Sequence, residues 1–137
     1  MNTKFHLALP VKDLQATREF YVEFLGCNVG RATNTWLDID FFGHQLTLQL
    51  APKATIDFRA DKQGVPIPHF GVIVPWREWH KLKDQWMDAK VQFLIDPRTV
   101  FGGTVGEQNS MILQDPNGYA VEFKSFENEE NTFKANK

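Results

Sequence analysis

Two histidines and one glutamate stand where they could hold a metal ion. His6 and His69 occupy the same place in two similar stretches, HLAL (6–9) and HFGV (69–72). Glu122 lies within the apolar run YAVEF, where an unpaired carboxylate would be costly to bury. Two imidazoles and one carboxylate are a recognised metal-binding set, and a bound metal would give the carboxylate its partner. The sequence therefore predicts His6, His69 and Glu122 as ligands of one ion.

The elements that must position these residues occur twice in the same order. Alternating apolar residues predict strands, and apolar residues at three- and four-residue spacing predict helices. The first half reads as a strand (5–11), a helix (13–26) and three strands (27–32, 35–42 and 44–51). The second half reads as a strand (69–74), a helix (75–90) and three strands (91–95, 109–114 and 119–126). Such an internal repeat indicates duplication of one β-α-β-β-β unit.

The repeat predicts an α+β fold in which two tandem β-α-β-β-β modules form a curved mixed sheet around a metal-binding cleft. We expect a single domain over residues 1–137. Module 1 covers about residues 4–51 and module 2 about 68–126. A charged, turn-rich linker (52–67) joins them, and residues 127–137 form a solvated tail.

Composition narrows the function classes. The chain has 137 residues, 42% of them hydrophobic, with twelve Phe and four Trp, which is enough for one aromatic core. A net charge of −2 without a basic cluster argues against nucleic acid. We expect neither a signal peptide nor a membrane span, because no apolar run is long enough for either, and one cysteine excludes an intrachain disulfide. We expect a cytoplasmic protein with a small-molecule substrate, in which Cys27 is a small buried residue rather than a nucleophile.

Three segments together resemble the vicinal oxygen chelate superfamily, which includes glyoxalase I, extradiol dioxygenases, fosfomycin-resistance thiol transferases and bleomycin-resistance proteins. They are HLALPVKDL with the helix end FYVEFLG, then PHFGVIV, and finally GEQNSMILQDPNGYAVEF. The resemblance covers roughly residues 4–126. It implies metal ligands on the first and last strands of each module, and the matching positions are His6, His69 and Glu122.

One expected ligand is absent. The resemblance implies a fourth ligand, a glutamate, on the last strand of module 1 in glyoxalase I-like proteins, and the matching residue here is Thr47 or Gln49. Three ligands fit the dioxygenase and thiol-transferase branches better. We therefore favour extradiol-type ring cleavage with Fe(II), although Mn, Zn, Ni or Co suit the same ligands. The alternatives are a glyoxalase-like isomerase or glutathione/thiol transferase, and a metal-free drug-binding protein. Relatives of this length also imply a homodimer.

Each of the remaining candidate residues could have a purely structural role. His44 and His80 are expected to be solvated, and Tyr119 either packs or binds substrate. Arg98 and the glycine-rich loop 98–108 form either a lid or a surface connection. Four aromatic residues line either the core or an apolar pocket: Trp36, Phe41, Phe42 and Phe70.

Overall fold

The computed structural model describes residues 1–135, which divide into two compact units. The first comprises Met1–Asp57 with Asp115–Gly118, and the second comprises Phe58–Gln114 with the chain from Tyr119 onward. Each unit is built on a four-stranded mixed sheet. Among the described residues, no helix has the length and apolar character needed to span a membrane.

The first unit contains one helical segment and four strands. They are β1 (His6–Val11), α1 (Leu14–Arg18) with its π-helical continuation (Glu19–Phe24), β2 (Asn28–Ala32), β3 (Trp36–Phe41) and β4 (His44–Leu50). The strand order is β1-β4-β3-β2, with β1 parallel to β4 and the other pairs antiparallel. Side chains alternate across a strand, so one face carries the core and the other carries the polar residues. The buried face includes Val11, Leu37, Ile39, Leu46 and Leu48.

The turn DPNG belongs to this first unit. Tyr21 donates its hydroxyl hydrogen to Asp115 Oδ2 at 2.7 Å, and Asn117 Nδ2 donates to Thr17 Oγ1 at 3.0 Å. The backbone N–H of Lys12 donates to Asn117 Oδ1 at 2.9 Å. Asp115 and Asn117 are therefore buried but hydrogen-bonded, as buried polar groups must be.

The second unit repeats the plan of the first after a short hairpin. Its elements are β5 (Arg59–Ala60), β6 (Pro66–Ile67), β7 (Phe70–Ile73), α2 (Trp76–Asp88), β8 (Ile95–Val100), β9 (Gln108–Gln114) and β10 (Ala120–Ser125). The order β7-β10-β9-β8 matches that of the first sheet, again with one parallel pair, β7 and β10. The predicted α+β class and its tandem β-α-β-β-β repeat are confirmed. The curved sheet around a metal cleft stays a prediction.

Tryptophans on α2 cover the apolar face of the second sheet. Trp79 and Trp86 lie seven residues apart, two turns along the same side of the helix, and both are 3% exposed. Trp86 packs edge-on against Phe123 with ring centroids 5.1 Å apart. The indole N–H of Trp79 donates to the carbonyl oxygen of Phe123 at 2.8 Å. Because Phe123 faces this core, its neighbours Glu122 and Lys124 face the opposite side of the sheet.

The structure corrects several predicted boundaries. The predicted strand 91–95 was wrong, because β8 begins where it was expected to end. Residues after α2 still complete the helix end, with Lys90 at φ 57° and the N–H of Val91 donating to the carbonyl oxygen of Trp86. β8 tolerates Pro97 because the register shifts there.

Three other segments differ from their predicted form. The loop 98–108 is shorter than predicted, since residues 98–100 belong to β8 and 108 begins β9. The predicted linker 52–67 contains the β5–β6 hairpin. Residues 127–135 are mostly exposed and include a 3₁₀ turn (Glu129–Phe133), and the last two residues of the predicted tail lie outside the described residues.

Candidate metal centre

Two of the three predicted ligands lie side by side in the second unit. His69 immediately precedes β7, and Glu122 lies on the adjacent strand β10, opposite Gly71. The Nε2 atom of His69 is 3.4 Å from Oε1 of Glu122. Both side chains are partly exposed, 31% for His69 and 17% for Glu122, so the pair can be reached from solvent.

Neighbouring groups orient both side chains. The Nδ1 atom of His69 lies 2.6 Å from the carbonyl oxygen of Pro66, and the hydroxyl of Ser110 donates to Oε2 of Glu122 at 2.6 Å. Since a carbonyl oxygen can only accept, Nδ1 of His69 carries the hydrogen. Nε2 of the neutral ring is then an acceptor that faces the remaining carboxylate oxygen. Two acceptors facing each other need a cation or a proton between them.

A divalent ion fits this arrangement. Nitrogen and oxygen ligands that are each about 2.1 Å from one ion stand about 3.0–3.4 Å apart at octahedral or tetrahedral angles. A metal-binding histidine usually donates its other N–H to a carbonyl or carboxylate, which is the role of Pro66 here. Imidazole with carboxylate suits Fe, Mn, Zn, Ni or Co. His69 and Glu122 therefore have the ligand types and the spacing that two of the three predicted metal ligands require.

A glycine that sequence reasoning missed allows β7 to approach the ligand strand. A Cβ atom at Gly71 would overlap the backbone oxygen, carbon and nitrogen of Glu122. Glycine within a strand often marks such a close approach, and this was the available signal. Gly71 thus helps to set the separation of β7 and β10 at the point where His69 meets Glu122.

A cavity of about 440 Å³ opens beside the pair. Apart from His69, Ser110 and Glu122, its lining is as follows: Asp61, Gln63, Val65, Arg98, Val100, Phe101, Gln108 and Lys124. This volume is in the usual range for small-molecule sites, about 300–1,000 Å³. No sequence pattern indicates Ser110 as a partner of Glu122, because the contact depends on the register of β9 with β10.

His6 lies on β1 in the first unit, where it is exposed and pairs with Gln45 of β4. Within residues 1–135, no group of three or more His, Cys, Asp or Glu side chains is arranged to hold a metal ion. The structure therefore brings His69 and Glu122 together. The participation of His6 stays a prediction.

The strand register settles which residue of β4 corresponds to Glu122. Glu122 pairs with Gly71, two residues after His69, and Thr47 pairs with Ala8, two residues after His6. Thr47, rather than Gln49, is thus the equivalent position. Its hydroxyl donates to Oδ1 of Asp38 at 2.6 Å, and Asp38 is a buried carboxylate that sequence reasoning missed.

The other histidines serve local structure. His44 is exposed, and its Nδ1 accepts from the backbone N–H of Phe5 at 2.9 Å. His80, expected to be solvated, is half-buried instead. Its Nδ1 lies 2.8 Å from the carbonyl oxygen of Trp76, and its ring packs edge-on against Trp76 and Trp79.

The cysteine and the aromatic candidates mainly pack. Burial, with a smaller contribution from the Asp40 carboxylate, raises the pKa of the Cys27 thiol to about 11, so the thiolate is scarce at neutral pH. Tyr119 is buried, with edge-on contacts to Phe58 and Phe70. Among the remaining aromatic candidates, Phe41 is in the core, Phe42 is exposed and Trp36 is half-buried.

The chain belongs to the Glyoxalase/Bleomycin resistance protein/Dioxygenase superfamily, whose family model matches residues 5–123. This confirms the family predicted from the sequence. No curated protein matches the chain.

Solved structures agree with this family. The chain is 28% identical to a glyoxalase/bleomycin resistance protein/dioxygenase from Alicyclobacillus acidocaldarius, with a TM-score of 0.82 over 96% of this chain and 97% of that one. Lactoylglutathione lyase from Agrobacterium tumefaciens is 16% identical, with a TM-score of 0.65 over 91% and 94% of the two chains. The fosfomycin resistance protein FosX from Listeria monocytogenes is 15% identical, with a TM-score of 0.68 over 94% and 96%. The last two likenesses concern the fold alone.

Proposed function

We propose that this protein is a metal-dependent enzyme that acts on vicinal oxygens of a small substrate. One divalent ion per site would be held by His6, His69 and Glu122. The observation that carries this proposal is the pair of acceptor atoms, His69 Nε2 and Glu122 Oε1, 3.4 Å apart with their other polar atoms already engaged.

The bound ion would supply Lewis-acid stabilisation of negative charge on the two substrate oxygens. The chain's own residues prepare the site for it. Pro66 holds the imidazole of His69 in one tautomer, and Ser110 holds one carboxylate oxygen of Glu122 so that the other faces the imidazole. Val65, Val100 and Phe101 supply apolar surface to the cavity wall.

Among reactions, we favour Fe(II)-dependent ring cleavage of a catechol-like diol by dioxygen. Thr47 at the position equivalent to Glu122 supports a set of three ligands rather than four. A second candidate is isomerisation of a glutathione adduct or thiol transfer. The presence of Arg98 and Lys124 in the cavity favours that candidate, because glutathione carboxylates need cationic partners. Metal-free drug binding is less favoured, since it gives the facing acceptors no role.

The test begins with metal analysis of protein purified without added metal or chelator. Anaerobic reconstitution with Fe(II) and a panel of catechols should then give ring-cleavage absorbance. Glu122→Ala should lose both metal and activity, whereas His44→Ala, which changes an exposed histidine, should keep both. A wild-type protein that binds no divalent metal would overturn the proposal. Metal binding without ring cleavage would favour the second candidate.

We further propose a homodimer, because single-chain relatives of this length are commonly dimers. A mixture of His6→Ala and Glu122→Ala subunits tests both the dimer and the origin of His6. If sites combine residues of two subunits, mixed dimers regain one intact site and therefore metal binding. If each site lies within one chain, mixing restores nothing. Sedimentation that shows only monomer at micromolar concentration contradicts the dimer.

A further inference from the structure

Two cationic side chains share the cavity face with the His69–Glu122 pair. Arg98 on β8 and Lys124 on β10 both pair with Ser110 on β9, so the three residues form one row across the sheet. Residues directly opposite each other in antiparallel strands share a face. Both cations line the same cavity as His69 and Glu122.

One hydrogen-bond donor of Arg98 has no partner among the described residues. Its Nε atom is buried and makes no hydrogen bond within residues 1–135. Neither Arg98 nor Lys124 forms an ion pair within this part of the chain. A buried donor on a charged group is costly to leave unsatisfied. An acceptor that enters the cavity would remove this cost.

The carboxylates that line the cavity are already engaged. Oδ1 of Asp61 accepts from the backbone N–H groups of Gln63 and Val65 at 2.8 and 2.9 Å. Glu122 accepts from Ser110 and faces His69. The lining thus offers two free cations, whereas its two anions serve the turn and the candidate metal centre.

We propose that Arg98 and Lys124 form an anion subsite that binds the carboxylate of a small organic acid. This inference rests on the proposed function, because the same molecule would present its vicinal oxygens to His69 and Glu122. The planar guanidinium of Arg98 matches a carboxylate with two parallel hydrogen bonds, and Lys124 adds a point charge. Val65, Val100 and Phe101 line the space for an apolar body between the two polar ends.

Two probes that differ at one group test the subsite. The acid 3,4-dihydroxybenzoate carries vicinal hydroxyls and a carboxylate, whereas 3,4-dihydroxybenzamide is its neutral isostere. Calorimetry should show that the wild-type protein prefers the acid by about tenfold, the usual scale for a charge-assisted hydrogen bond. Arg98→Met should abolish most of this preference, and Lys124→Met should reduce it.

A matched control removes a cation outside the cavity. Lys81 lies on α2 with a side chain 75% exposed, and Lys81→Met should leave the preference unchanged. If Arg98→Met does not fold, Lys124→Met provides the same test on a half-buried side chain. Equal binding of acid and amide by the wild type, or a full preference in both variants, would overturn the proposal. Failure of both probes to bind at millimolar concentration would also overturn it.

Each titration is run with Mn²⁺-loaded protein and again in chelator, which separates the subsite from the metal centre. Arg98→Met should keep the metal affinity of the wild type, because Arg98 is not a ligand. If the protein binds no metal but still shows an Arg98-dependent preference for the acid, the proposed function fails and the subsite stands. A phosphonate analogue that binds much more tightly than the carboxylate would overturn the assignment of a carboxylate.

Discussion

The two four-stranded sheets have the same strand order but carry different side chains at matching positions. In the first sheet, Thr47 stands opposite Ala8 and donates to the buried Asp38. In the second, Glu122 stands opposite Gly71 and faces the imidazole of His69. In the first sheet, the hydroxyl donor of Thr47 faces the carboxylate of Asp38, so both groups are hydrogen-bonded. In the second sheet, two acceptor atoms stand 3.4 Å apart and need a cation or a proton between them.

A carboxylate in a strand must be interpreted together with the groups that face both of its oxygens. Asp38 and Glu122 are both carboxylates on the polar face of a sheet, and both accept a hydrogen bond of 2.6 Å from a hydroxyl. Asp38 also lies 3.4 Å from the amide nitrogen of Gln45, which can donate. The group that faces Glu122 is instead a histidine nitrogen whose ring has already donated elsewhere. The second partner, not the carboxylate itself, distinguishes the candidate functional site.

Metal affinity should change most when a ligand of the second sheet is removed, and the matching change in the first sheet is the control. His69→Ala and Glu122→Ala should each abolish tight metal binding, because a three-ligand site loses a third of its protein ligands. Thr47→Ala should leave metal affinity unchanged. Calorimetry with Mn²⁺ measures all three variants. If either ligand variant binds Mn²⁺ as tightly as the wild type, the substituted residue is not a ligand of the ion.

The second contrast concerns the backbone rather than the ligands. Gly71→Ala should push β7 away from β10, because the added Cβ would overlap the backbone of Glu122. We expect a loss of about 1–3 kcal/mol in the free energy of unfolding and weaker metal binding. The control is Ala8→Gly at the matching position of the first sheet, with an expected loss of about 0.5–1 kcal/mol. Urea denaturation compares them, and a fully stable Gly71→Ala variant would contradict this role.

Much of this contrast could be predicted from the sequence, and the part that could not has physical causes. Periodicity predicts the duplicated elements, and Glu122 is conspicuous as a carboxylate in an apolar strand. The predicted start of the strand, residue 91, was wrong because the residues after α2 first complete the helix end. No hydrophobic periodicity marks how many residues that helix end needs before β8 begins. The contacts of Arg98 and Ser110 depend on strand register, which one sequence does not specify.

A smaller effect is expected from removing the hydroxyl that orients Glu122. Ser110→Ala should weaken metal affinity by about 10–100-fold, the usual cost of losing a group that orients a ligand. Thr47→Val in the first sheet removes the donor to Asp38 instead. It should lower the free energy of unfolding by about 1 kcal/mol and leave metal affinity alone. Mn²⁺ calorimetry and urea denaturation of both variants check these expectations. If Ser110→Ala binds Mn²⁺ as tightly as Thr47→Val does, Ser110 does not support the site.

The smallest expected change in stability comes from Glu122→Gln, measured in chelator. Its amide can donate to Nε2 of His69, so one facing pair of acceptors becomes a hydrogen bond and a partly buried charge is removed. The variant should therefore melt at the wild-type temperature or slightly above it, while metal affinity falls because an amide oxygen is an uncharged donor. Asp38→Asn is the counterpart in the first sheet and should melt lower, since Asp38 has donors facing both oxygens. Melting curves in chelator and metal analysis are compared for both variants. A Glu122→Gln protein that melts well below wild type in chelator, yet holds as much metal, would show that Glu122 is a structural carboxylate and not a ligand.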